Sequence, residues 1–166
     1  MSRTSLRVAR ILLGSAVALV APHGPLAWAV GLVGGGVIDG PLGLTSQLGF
    51  GATPVGGSFQ CVMAGRSNGF LFGPWGEVLQ MEVQGDVTPG SLIVQSDGSV
   101  TFAGKARVQV VGTDAGGNVL QAVFTDAPYK TTHTIGGAGT ATHELEVLGL
   151  TFGPAPLKAG QIVLTP

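Results

Sequence analysis

The chain has 166 residues, of which 45% are apolar and 10% charged, with eight basic against nine acidic side chains. This composition excludes disorder driven by charge and describes a packed fold with a mild surface. A single cysteine, Cys61, excludes an intrachain disulfide.

The first thirty residues differ in kind from the rest. They carry Arg3, Arg7 and Arg10, no acidic residue, and then an apolar run from Ile11 to Val20. A basic segment followed by an apolar one is the order of a secretory signal, and the run is about half the roughly 20 residues that a membrane-spanning helix needs. Pro22 and Pro25 stop any helix, and Ala27-Trp28-Ala29 puts small residues at the first and third places before a cut. The sequence therefore predicts a signal peptide over 1–29, cleaved after Ala29. No adjacent arginine pair is present, so the general secretory route is expected. The expected product is a secreted protein of a bacterial-type cell, periplasmic, cell-surface or extracellular, with no transmembrane anchor expected in the mature chain.

Removing 29 of the 166 residues leaves 137, enough for a single core without metals or cross-links. That part keeps Arg66, Lys105, Arg107, Lys130 and Lys158 against nine acidic side chains, a net charge of −4. It has no basic patch for nucleic acid or anionic lipid.

From Val30 on, glycine recurs every few residues, and between the glycines the apolar positions repeat with a period of two. In chain order the predicted strands are Val33 to Asp39, Gln47 to Thr53, Gly57 to Ala64 and Glu77 to Gln84, followed by Ser91 to Ser96 and Ser99 to Ala103. Lys105 to Gly112, Val119 to Thr125, Thr140 to Leu150 and Gln161 to Leu164 complete the series. Phe59, Cys61 and Met63 alternate with Gln60 and Val62, which puts the sulfur on an apolar strand face as a buried thiol. Thr88-Pro89-Gly90 suits a type II turn, Asp97-Gly98 a hairpin, and Asp114 to Asn118 another hairpin tip. The pattern predicts an all-β domain over 30–166: a small antiparallel β-barrel or two-sheet sandwich of about nine or ten strands. Arg66 to Gly76 and Ala127 to Gly139, rich in Gly, Pro, Ser and Thr, read as the longest loops, and a site is expected beside them.

Gly34-Gly35-Gly36 with Ile38, then Leu48-Gly49-Phe50-Gly51 and Gly57-Ser58-Phe59-Gln60, resemble the small post-COAP domains of exported bacterial proteins, which occur near choice-of-anchor domains. Ser99 to Gly104 followed by Ala106, Val123 to Asp126, and the closing Ala159 to Leu164 extend the resemblance over most of the chain after Val30. The sequence departs from that pattern at Cys61, where an aromatic residue is usual, and in the loop after Asp126, which is less rich in aspartate. The resemblance implies a barrel-like exported domain with no established catalytic residues, and no cofactor is expected.

Side chains able to do chemistry are sparse. His133 and His143, with Asp126, Glu144 or Glu146, are candidate metal ligands, although their spacing matches no ligand motif. The alternation of His143 with Leu145 and Val147 gives the plainer reading of a core or rim histidine. Asp114 and Asn118 flank a glycine-rich tip and are weak calcium candidates, because such sites want several carboxylates. The triple glycine lacks the lysine and helix of a phosphate cradle. Neither Ser58 nor Ser67 lies in a nucleophile frame, and Glu144 and Glu146 share one strand face instead of facing across a cleft.

Phe70, Phe72, Trp75 and Tyr129, with His133, form the candidate ligand-binding set: aromatic residues in long loops either stack on a ligand or plug a barrel end. The function expected is a non-catalytic exported binding or surface-structural module for an envelope protein, a polymer or a small apolar ligand. The alternative is a barrel enzyme of cyclase or isomerase type, or a small apolar ligand carrier, either of which needs a hollow interior.

Overall fold

A computed structural model describes residues 30–40, 43–67 and 73–166. The predicted signal peptide, Phe70 and Phe72 lie outside the described residues. Ten strands follow one another: β1 (Gly31–Asp39), β2 (Thr45–Thr53), β3 (Gly56–Ala64), β4 (Glu77–Val87), β5 (Ile93–Val94), β6 (Val100–Thr113), β7 (Val119–His133), β8 (Gly136–Gly137), β9 (Thr142–Val147) and β10 (Leu150–Thr165). All pairings are antiparallel, in the order β1-β2-β3-β4-β6-β7-β9-β10, and β10 pairs back on β1 from Gly31↔Thr165 to Ile38↔Leu157. The result is a closed eight-stranded barrel with β5 and β8 as short additions, and the sandwich alternative is set aside.

The period of two decides which side chains go inside. Leu32, Phe59, Val83, Phe102, Val108, Leu145 and Ile162 point inward and are at most 2% exposed. Eight strands enclose a space just wide enough for such side chains, so burial of this layer supplies most of the driving force. Gln60, Gln84, Lys105 and Arg107 occupy alternate positions and are exposed on the outer wall. A membrane barrel has the reverse polarity, with its apolar band outside.

The turns follow the residues that need them. Asp97 accepts hydrogen bonds from the Ser99 backbone N–H (2.9 Å) and hydroxyl (2.7 Å), fixing the Asp97-Gly98 hairpin. At the tip between β6 and β7, Asp114 Oδ1 accepts from the N–H groups of Gly116 (2.8 Å) and Asn118 (2.9 Å), and Oδ2 accepts from the Asn118 side-chain amide (2.9 Å). Leu148 and Gly149, both at positive φ, join β9 to β10 in a two-residue turn.

Three expectations are corrected. The predicted runs Ser99 to Ala103 and Lys105 to Gly112 are one strand, β6, because Gly104 continues the ladder between Val87 and Tyr129. Ala127 to His133 is strand, not loop: Ala127, Tyr129, Thr131 and His133 alternate inward and are buried. Pro128 misled the reading; it sits just after a bulge and just before β9 begins to pair at Tyr129, where a missing N–H is tolerated. The last strand is also far longer than Gln161 to Leu164, because two prolines and two glycines are absorbed between Leu150 and Thr165, with a register shift between Phe152 and Ala155.

Candidate functional site

Among the described residues, two places concentrate polar groups, one inside the barrel and one on its outer wall. Inside, β7 and β9 put His133 directly across from His143, both at most 2% exposed. Their Nδ1 atoms are 3.4 Å apart, and His133 Nε2 lies 3.0 Å from Thr131 Oγ1. Among the described residues, His143 Nε2 has no hydrogen-bond partner. The arrangement is best satisfied when His143 donates through Nδ1–H to His133, and His133 carries its proton on Nε2 and donates to Thr131. The unpaired atom is then an acceptor, which costs less than an orphaned donor.

Aromatic rings surround the pair: Phe50 and Phe102 lie 4.3 and 5.3 Å from the His133 ring, and Phe59 lies 6.0 Å from His143. Burial in this sleeve holds His133 well below the usual histidine range, with the neighbouring His143 adding to the effect, and brings His143 down to about 4. Both rings are therefore neutral near pH 7.

On the outer wall a groove of about 970 Å³ runs across β2, β3, β4, β6 and β7. Strand register builds it. Gly49, Gln60, Gln84 and Arg107 are successive cross-strand neighbours, and two residues further along lie Ser58, Asp86 and Lys105. Gly49 leaves one end open: a Cβ placed there would meet nothing within 4 Å. At the other end β7 bulges, since Ala106 pairs with Ala127 and Val108 with Phe124, so that Thr125 and Asp126 together oppose Arg107. Asp126 takes φ 56° at this point, a left-handed conformation that Asp tolerates better than most residues.

Thr88 and Pro89 edge the groove toward the β4–β5 turn. Beneath it, Phe59 stacks on Tyr129 with ring centroids 5.2 Å apart, and Tyr129 Oη donates to the Asp86 backbone carbonyl at 3.2 Å. Among the described residues, Asp86, Lys105, Arg107 and Asp126 form no ion pair, although Asp86 is directly opposite Lys105. Arg107 donates to Gln109 Oε1 at 3.1 Å.

The predicted site residues are dispersed. Trp75 is buried in the segment just before β4, and Tyr129 and His133 are core residues of β7, so all three are packed into the core. Asp114 spends its carboxylate on its own turn, and those hydrogen bonds, first among them that of the Asn118 side chain, hold it below the ordinary carboxylate range. Glu146 faces outward and pairs with Lys130 at 3.0 Å. No group of three or more His, Cys, Asp or Glu side chains able to hold a metal occurs among the described residues. Cys61 is 1% exposed, and burial pushes its thiol up to about 12. Sequence reading missed the groove because its parts come from five strands. The only local trace was the alternation that sent Gln60 and Gln84 to the outer face. No family model, curated protein or solved structure matches the chain.

Proposed function

We propose that this protein is an exported, non-catalytic binding module that engages its partner through the outer-wall groove. The observation that carries the reading is the groove itself: four charged side chains without ion-pair partners among the described residues and two amides, placed in register over a packed barrel. The strands fix the backbone positions of these groups, so a ligand has to order only their side chains. The basic start, apolar run and Ala27-Trp28-Ala29 support export, and the resemblance to post-COAP domains fits the same setting. A cyclase-like enzyme or apolar-ligand carrier needs room where Phe102, Met63, Leu145 and Leu157 lie, each at most 1% exposed.

Two measurements test the reading. N-terminal sequencing of the protein recovered outside the cytoplasm is expected to begin at Val30; an intact Met1 start would contradict cleavage after Ala29, and recovery in the cytoplasm alone would contradict export. Co-sedimentation with insoluble cell-envelope material is expected for the wild type and lost in Gly49→Phe, which places a ring in the groove where there is space for it. Equal binding by both proteins would contradict the groove as the binding surface.

A further inference from the structure

We infer that the groove takes a neutral, hydroxyl-rich chain, an oligosaccharide segment of an envelope or extracellular polymer. The inference rests on the groove being the binding surface and adds the chemistry of what it binds. Its first support is charge: Lys105 and Arg107 are balanced by Asp86 and Asp126, so the lining is electrically neutral overall. A polyanion would meet two carboxylates and a polycation two cations, and each like-charge contact opposes binding.

The second support is hydrogen-bonding capacity. Gln60 and Gln84 each offer donors and an acceptor, Asp86 and Asp126 only accept, and Lys105 and Arg107 only donate. A hydroxyl both donates and accepts and can satisfy all three kinds, whereas an apolar ligand would strip water from these groups and return no hydrogen bond. The groups are also available, since no ion pair joins any of the four charges among the described residues.

Spacing supplies the third support. Gln60, Gln84 and Arg107 stand on adjacent strands, about 4.8 Å from one to the next. That repeat is close to the length of one sugar ring in an extended β-1,4-linked chain lying across the strands. The bulge at Thr125 and Asp126 closes one end of the row and Gly49 leaves the other open, so the row admits the terminal segment of such a chain. Phe50 and Phe59 line the floor but are 8% and 2% exposed, with their rings turned into the core. The site therefore lacks an aromatic platform, and its affinity is expected to be weak, with a Kd on the order of 1 mM.

The test is an amide-resolved NMR titration with β-1,4-linked hexasaccharides of glucose, xylose, mannose and N-acetylglucosamine, each at about 10 mM, tenfold above that Kd. Oligogalacturonate and oligoglucosamine serve as anionic and cationic controls. The expected result is shifts centred on Gln60, Gln84, Asp86 and Lys105 with at least one neutral sugar, little changed by added salt. Affinity should fall about tenfold in Gln84→Ala and vanish in Gly49→Phe. Shifts with a charged control alone, or with no neutral hexasaccharide, overturn the inference. If neutral sugars fail while Gly49→Phe still abolishes co-sedimentation, the ligand chemistry is wrong and the binding surface stands; if Gly49→Phe also co-sediments normally, both readings fall.

Discussion

His133 and His143 face each other across β7 and β9, Nδ1 to Nδ1 at 3.4 Å, inside a sleeve of phenylalanine rings. Two neutral imidazoles can share one hydrogen bond there, and two imidazolium rings cannot. Acid is therefore expected to weaken the barrel. In the unfolded chain each histidine titrates near pH 6.5, while in the fold His133 lies well below that value and His143 at about 4. Between those limits the unfolded state binds more protons, so stability is full above about pH 6.5 and declines as pH falls, by up to about 1.4 kcal/mol per pH unit for each histidine. Urea midpoints measured from neutral pH down to about pH 4.5 should fall, and His143→Phe should remove that residue's share of the slope. A midpoint as high in acid as at neutrality would contradict neutral buried rings.

Gly104 and Gly49 predict opposite outcomes for the same substitution. A Cβ on Gly104 would run into the Asp86 carbonyl and come within 2.9 Å of the Tyr129 ring, whereas one on Gly49 meets open space. Gly104→Ala should cost about 1–3 kcal/mol, as overpacking does, and Gly49→Ala should stay within about 0.5 kcal/mol of the wild type. Paired denaturant curves decide this, and similar costs for the two variants would mean that the β4–β6 spacing differs from the one described.

Tyr129 links core to groove through its hydroxyl bond to the Asp86 carbonyl. Tyr129→Phe keeps the stack on Phe59 and removes that bond, so a loss of about 1 kcal/mol is expected in thermal or urea unfolding, together with shifts at the Asp86 and Val87 amides. No change at those amides would detach the hydroxyl from the groove floor.

Cys61 should be inert in the native protein, since burial excludes reagents and pushes its thiol up to about 12. A thiol-reactive probe at neutral pH is expected to label it only at the rate of unfolding, with full labelling in denaturant. Rapid native labelling would place the sulfur at the surface.

The fold was largely legible because period-two alternation is a local signal: Leu79, Met81 and Val83 against Gln80, Glu82 and Gln84 identify a strand and its inner face without knowledge of its partners. Closure was not, because the pairing of Gly31 with Thr165 joins the two ends of the barrel. Ala127 to His133 went unread because Pro128 and two threonines resemble loop composition, and only their burial against β9 reveals a strand. The predicted aromatic set scattered for a related reason: residue type does not show whether Tyr129 and Trp75 face a ligand or the core, and both face the core. The groove depends on cross-strand register and on a bulge opposite Arg107, neither of which a single strand encodes.

The central claim, that the outer wall over β3, β4 and β6 is where this protein meets its partner, is tested most directly by photo-crosslinking in the living cell. A photoreactive side chain is placed at Ser58, in the groove, and separately at Val119, which is 74% exposed at the start of β7 and does not line the groove. The account predicts an adduct from position 58 and none from position 119. An adduct from 119 with none from 58 would contradict it.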